Sequence, residues 1–122
     1  HKNESYFFAE LMRLKRVTDL LKEGKKLFVI LDEMLKGTNS KDKHIGSYEL
    51  IKQLIKRNTS GLAATHDIEL GKLADEYPEN VSNKRFEVEI EEDELTFDYK
   101  LKDGISQNLN ASFLMKKYGI IE

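Results

Sequence analysis

The sequence predicts an α/β fold in three layers, with a short parallel core, a C-terminal antiparallel hairpin and flanking helices. Three observations carry this reading. Residues 5–23 and 42–57 repeat apolar side chains every three or four positions, the period of an amphipathic helix. Residues 27–31 and 61–65 are short runs of strand type on either side of the second of those helices, which makes a βαβ unit. After Asn80 apolar and charged residues alternate, the period of a strand with one face buried and one wet.

The first helix shows Phe7, Leu11, Leu14, Val17 and Leu21 on one stripe, with Ser5 or Asn3 as candidate N-cap and Gly24 as the stop. Leu27-Phe28-Val29-Ile30-Leu31 is apolar at every position, which suits a strand buried on both faces of a parallel sheet. Gly37-Thr38-Asn39-Ser40 has the composition of a loop. The second helix carries Ile45, Tyr48, Ile51, Leu54 and Ile55, and Asn58-Thr59-Ser60 break it. Gly61-Leu62-Ala63-Ala64-Thr65 is the second strand, and a short helix from Asp67 to Asp75 ends before Pro78. Phe86, Val88 and Ile90, then Leu95, Phe97, Tyr99 and Leu101, form the two arms of the hairpin. The connecting Glu91-Glu92-Asp93-Glu94 lacks Asn-Gly chemistry, which argues against a two-residue I′ turn. Asp103-Gly104 makes a turn, and residues 108–118 form a last helix stopped by Gly119.

Composition narrows the chemistry. Twenty basic residues against 22 acidic ones give a net charge of −2, which excludes a nucleic-acid clamp that works by bulk charge. Without cysteine there is no disulfide framework, zinc thiolate or thiol nucleophile. The longest unbroken aliphatic and aromatic run is five residues, too short to span a bilayer, so a soluble intracellular chain is expected. The chain opens on His1-Lys2-Asn3-Glu4, with no initiator Met, and reads as an excerpt of a longer protein.

The sharpest chemical feature is Asp32-Glu33, two carboxylates delivered at the C-terminal end of the first strand. Ligands of open α/β sheets bind outside that edge. Mg²⁺ takes one or two carboxylates plus phosphate oxygens and water. Adjacent acids can divide the work, one holding a metal and the other orienting or deprotonating water. The same pair also fits a loop start whose acids face solvent or cap the next element. Thr65-His66 follows the second strand, and parallel neighbours joined by one crossover end at the same edge, ~4.8 Å apart. His66 is therefore expected near Asp32 and Glu33, able to bond a phosphate or a water. Gly37 to Ser40 with Asp42, Asn39 among them, fit a phosphate-lining loop, a subunit contact or a plain connection. His44 sits on a charged helix start and is expected to be solvated. Glu91 to Glu94 reads as a wet turn, since it lacks EF-hand spacing.

In this order the pieces resemble the C-terminal part of the ATPase domain of the MutS-type family, a branch of the ABC-like P-loop NTPases. Ser5-Tyr6-Phe7-Phe8-Ala9-Glu10 is similar to its signature segment, and Leu27 to Glu33 to Walker B. Gly37-Thr38-Asn39-Ser40-Lys41-Asp42 resembles the D-loop, and Ala64-Thr65-His66 with Glu69-Leu70 the switch-histidine segment. The hairpin 84–101 and residues 101–106 resemble the closing strands and turn. The resemblance implies a P-loop NTPase fold and a DNA-associated ATPase that uses ATP and Mg²⁺ at a homodimer interface, cytoplasmic and without a membrane partner. It implies Asp32 in the Mg²⁺ shell and Glu33 as the carboxylate acting on water. It implies His66 at the γ-phosphate or the water, Ser5 acting in trans on the second subunit's nucleotide, and Asn39 and Asp42 in the D-loop.

The departures are equally specific. No G-x-x-x-x-G-K-[ST] phosphate loop occurs, so it is expected upstream of residue 1 together with any DNA-reading domains. Lys36 stands where the family usually has arginine, Asn39 where it has serine or threonine, and Asn108-Leu109-Asn110-Ala111 replaces a Ser-Tyr-Gly-Ile-like stretch. These departures favour a MutS-related subfamily over a mismatch sensor. The rival readings are a non-enzymatic dimerisation module that keeps the shell of the fold, the ATPase portion of another ABC-class protein, and an unrelated Mg²⁺-dependent phosphohydrolase.

Overall fold

The computed structural model describes residues 2–106 and 110–122, with side chains from 5 to 106 and from 111 onward. The substituted stretch at 108–111 thus lies largely outside the described residues. The fold is α/β, and it divides into two compact units, residues 1–80 and 81–122.

The first unit is the expected βαβ arrangement preceded by a long helix. Helix α1 (Lys2–Lys22) leads to strand β1 (Phe28–Asp32), helix α2 (Ser40–Lys56) and strand β2 (Ser60–Ala64). A 3₁₀ helix (Ile68–Lys72) and the short α3 (Leu73–Glu76) follow. Phe7, Leu11, Leu14, Val17 and Leu21 of α1 pack on a buried cluster of Val29, Leu31, Met34, Leu35 and Leu54, joined by Leu27, Leu50 and Ile51. The helical period therefore placed α1 correctly. On α2 the packed positions are Leu50, Ile51 and Leu54, while Ile45 is exposed. The Tyr48 hydroxyl donates to the Glu76 carboxylate, which pushes its pKa from 10.0 up to about 12. Its contribution to stability is present below pH 10 and is lost as pH rises through about 12. A spectrophotometric titration compared with that of Tyr48→Phe should show Tyr48 ionising well above pH 10.

Helix ends follow a common device. Gly24 has φ +84°; its N–H donates to Leu21 and the Lys25 N–H to Leu20, a Schellman closure. Asn58 (φ 56°) and Gly119 (φ 73°) end their helices in the same way. At the other end of α1 the sequence reading needs correction. The helix reaches back to Lys2, so Ser5 is its fourth residue and caps nothing.

Strand β1 also departs from expectation. It pairs with β2 in parallel, Phe28 opposite Ser60 through Asp32 opposite Ala64. Its residues alternate, with Val29 and Leu31 buried and Phe28 and Ile30 exposed at 64% and 69%. The strand was expected to be buried on both faces. Here α1 and α2 cover one face only, so of the three expected layers this unit shows the sheet and one layer of helices. Gly61 lies opposite Val29, where a Cβ would stand 2.2 Å from the Val29 carbonyl oxygen.

The second unit holds the hairpin, β4 (Val88–Glu91) and β5 (Glu94–Phe97), flanked by the two-residue pair β3 (Lys84–Arg85) and β6 (Lys102–Asp103). Helix α4 spans Asn110–Lys117. Glu91 pairs with Glu94, leaving Glu92 (φ 49°) and Asp93 (φ 62°) as a two-residue turn with both centres left-handed. That is the I′ geometry the sequence argued against, here made by Glu-Asp. The acidic run does form a wet turn. Val88, Ile90, Leu95 and Phe97 share one face of the ladder, yet Ile90 and Phe97 stay exposed, so the expected buried face is only partly covered. Phe97 instead meets Tyr99 edge-on at 4.6 Å and Phe86 at 6.4 Å.

Candidate functional site

The C-terminal edge of the β1–β2 pair gathers the chemistry. The ladder runs one step past the strands, because the Glu33 N–H donates to the Ala64 carbonyl at 2.9 Å. This step fixes Glu33 beside the segment that carries His66. Immediately after it the backbone turns left-handed at Glu33 (φ 52°) and again at Leu35 (φ 62°). Each non-glycine residue held there costs about 1–2 kcal/mol, so the surroundings must compensate. Glu10 of α1 does so: its carboxylate accepts the Leu35 N–H at 2.5 Å and the Lys36 N–H at 3.2 Å. The helix that carries Ser5 is thereby tied to the loop that follows Glu33.

Glu33 stands between two cationic or polar groups. One carboxylate oxygen lies 3.5 Å from Lys43 Nζ and the other 3.5 Å from His66 Nε2. The Glu33 side chain is 24% exposed and His66 95% exposed. Both contacts are long for hydrogen bonds, so the carboxylate is oriented without being saturated. Asp32, one residue earlier, is exposed and has no ion-pair partner among the described residues. The expected meeting of His66 with the acidic pair is therefore seen for Glu33.

Asn39 and Asp42 are brought to each other. Asn39 is the N-cap of α2: its side-chain oxygen accepts the Asp42 N–H and its amide donates to the Asp42 carboxylate, both at 2.9 Å. Ser5 is exposed on α1. Tyr6 and Phe8 are exposed as well, while Phe7 joins the core.

His44 is in part solvated as expected, its side chain 36% exposed, but it also has a partner the reading did not foresee: its Nδ1 lies 2.6 Å from the Asp67 carboxylate. The sequence reading assigned no role to Lys43, and it named Glu10 and Asp67 only as parts of the signature-like segment and of the short helix, without their partners. For Lys43 a signal was present: a lysine in the first turn of a helix faces the positive end of the dipole and calls for a nearby acid. Glu10 and Asp67 act on partners more than twenty residues away, which periodicity does not reveal.

The family model for MutS domain V matches residues 1–119. The chain belongs to the MutS domain V family. It is 34% identical over 116 residues to the DNA mismatch repair protein MutS of Thermotoga neapolitana, covering 95% of this chain and 14% of that protein. It is 33% identical over 115 residues to the DNA mismatch repair protein MSH3 of Meyerozyma guilliermondii, and 28% identical over 114 residues to the human MutS protein homolog 4. In both cases 88% of this chain and 12% of the relative are covered. The chain thus spans about one seventh of the length of the curated relatives it matches. Among the described residues, no helix of this MutS domain V is long and apolar enough to cross a membrane.

Proposed function

We propose that this MutS domain V supplies the hydrolytic half of a nucleotide site in a DNA-associated ATPase with a P-loop, ABC-like fold. The observation that supports it most is the Glu33 carboxylate, held between Lys43 and His66 at a parallel strand edge and preceded by the exposed Asp32. Two adjacent carboxylates fit a Mg²⁺ ion that keeps water and phosphate ligands. Asp32 would hold that ion, which when bound neutralises phosphate charge. Glu33 orients a water and takes its proton, and His66 donates a hydrogen bond at the same edge. The phosphate loop is supplied from outside residues 1–122, and ATP sits between two copies of the domain. Asn39 and Asp42, as the D-loop, lie at that junction. DNA contact belongs to other parts of the protein, in line with the repair names of the relatives. The rival of a non-enzymatic dimerisation module has no use for the exposed Asp32 beside an oriented Glu33.

The 122-residue chain alone should show negligible turnover of Mg-ATP, because the backbone N–H groups and lysine of a phosphate loop supply most phosphate binding. Hydrolysis by the purified chain that is abolished by Asp32→Ala would overturn the split site.

Ser5 offers its exposed hydroxyl to the nucleotide of the second copy. In the full-length protein Ser5→Arg should spare ATP binding and block turnover. Mixing it with a variant dead in the phosphate loop leaves one composite site intact, with Ser5 from the second chain and the phosphate loop from the first. Partial recovery of ATPase activity is expected, and none in dimers shown to have exchanged subunits would contradict the trans role.

A further inference from the structure

His66 is almost fully exposed, and its one described polar contact is Glu33 at 3.5 Å. Its own packing therefore does little to place it, and the backbone of residues 65–67 must. Two bonds shape that backbone locally. The Asp67 N–H donates to Thr65 Oγ1 at 2.9 Å, and Asp67 Oδ1 accepts the Glu69 N–H at 3.0 Å, capping the 3₁₀ helix. Neither reaches beyond the 3₁₀ helix that follows directly in the chain. The third does: Asp67 Oδ2 meets His44 Nδ1 of α2 at 2.6 Å. A carboxylate only accepts, so Nδ1 carries the proton. The His44 ring is in turn steadied by Tyr48 one turn on, with centroids 5.8 Å apart.

We propose that His44 and Asp67 are a positioning pair that fixes His66 against Glu33 and couples the α2 N-terminus to it. Asp42, which closes the Asn39 cap, lies two residues before His44 on the same helix. A displacement of residues 39–42 is thus passed through His44 and Asp67 to the loop that carries His66. The inference rests on the hydrolytic role of His66 proposed above, and extends it to two residues that touch neither water nor nucleotide.

The test uses the full-length protein with His44→Ala, His44→Asn, His66→Ala and the His44→Ala/His66→Ala pair. Asn presents an amide N–H near the place of Nδ1–H and should rescue. His44→Ala should lower kcat ~10-fold or more, the scale for a misplaced group, and leave KM for Mg-ATP within about twofold. In the His66→Ala background the same change should cost nothing further, since it acts through His66. In the nucleotide-free protein, hydrogen exchange at the Asp67 and Glu69 amides should quicken with His44→Ala and return with His44→Asn. An equal loss of kcat with and without His66, or unchanged exchange at these amides, would overturn the pair as a positioning device. Unchanged turnover in His66→Ala would instead show the hydrolytic role of His66 to be wrong, and this inference would fall with it.

Discussion

Glu33→Gln in the full-length protein should bind Mg-ATP almost as the unaltered protein does and hydrolyse it ~10²-fold more slowly or worse, the range for losing a general base. That factor is about 2.7 kcal/mol of barrier. The geometry explains why the loss should fall on the chemical step. The Glu33 backbone continues the β1–β2 ladder through the Ala64 carbonyl, so the amide side chain is held where the carboxylate was. Lys43 loses an ionic partner, but Asp32, the proposed metal ligand, is untouched. Asp32→Asn should do the converse, raising the Mg²⁺ concentration needed for activity. Single-turnover hydrolysis and equilibrium binding, measured on the same preparations, separate the two. Loss of binding in Glu33→Gln with mere slowing in Asp32→Asn would mean that the two roles are exchanged.

Gly61→Ala should destabilise the first unit by roughly 1–3 kcal/mol, the usual scale of overpacking. The added Cβ would meet the Val29 carbonyl oxygen at 2.2 Å, and backbone atoms in a ladder cannot swing aside as a side chain can. Relief requires β1 and β2 to part or shift register. Either movement displaces Glu33 from the segment that carries His66, so activity should fall together with stability. Denaturant unfolding of the variant measures the first effect. By contrast, a Cβ at Gly46 would meet a terminal methyl of Leu35 at 2.6 Å, an obstruction that a side chain can relieve by turning. Gly46→Ala should be the milder change.

Much of the first unit was legible because its signals are local. The stripe from Phe7 to Leu21, the Gly24 stop and the Asp32-Glu33 pair each belong to one element or its end, and each was observed in place. The parallel order of the two strands followed from the single crossover, and with it the approach of His66 to Glu33. What escaped was non-local. The uniformly apolar Leu27–Leu31 run implied two buried faces, yet only the face towards Val29 and Leu31 is covered by α1 and α2. The Glu10 grip on the Leu35 and Lys36 amides, and the His44–Asp67 pair, join residues 23 to 26 positions apart. The hairpin turn failed for another reason. Left-handed backbone is cheapest for Gly and Asn, but the short ladder from Val88 to Phe97 fixes two residues between its arms, and Glu92 and Asp93 adopt the conformation the register demands.

In the proposed site one strand edge of this MutS domain V faces the terminal phosphate of a bound nucleotide. A crystal structure of the full-length protein with Mg²⁺, ADP and a γ-phosphate mimic tests it most directly. The expected result has Asp32 in the metal shell, with a water in line with the mimic and within about 3 Å of the Glu33 carboxylate. His66 should lie within bonding distance of the mimic or of that water. A nucleotide bound with Asp32, Glu33 and His66 all directed away from it would rule out this site.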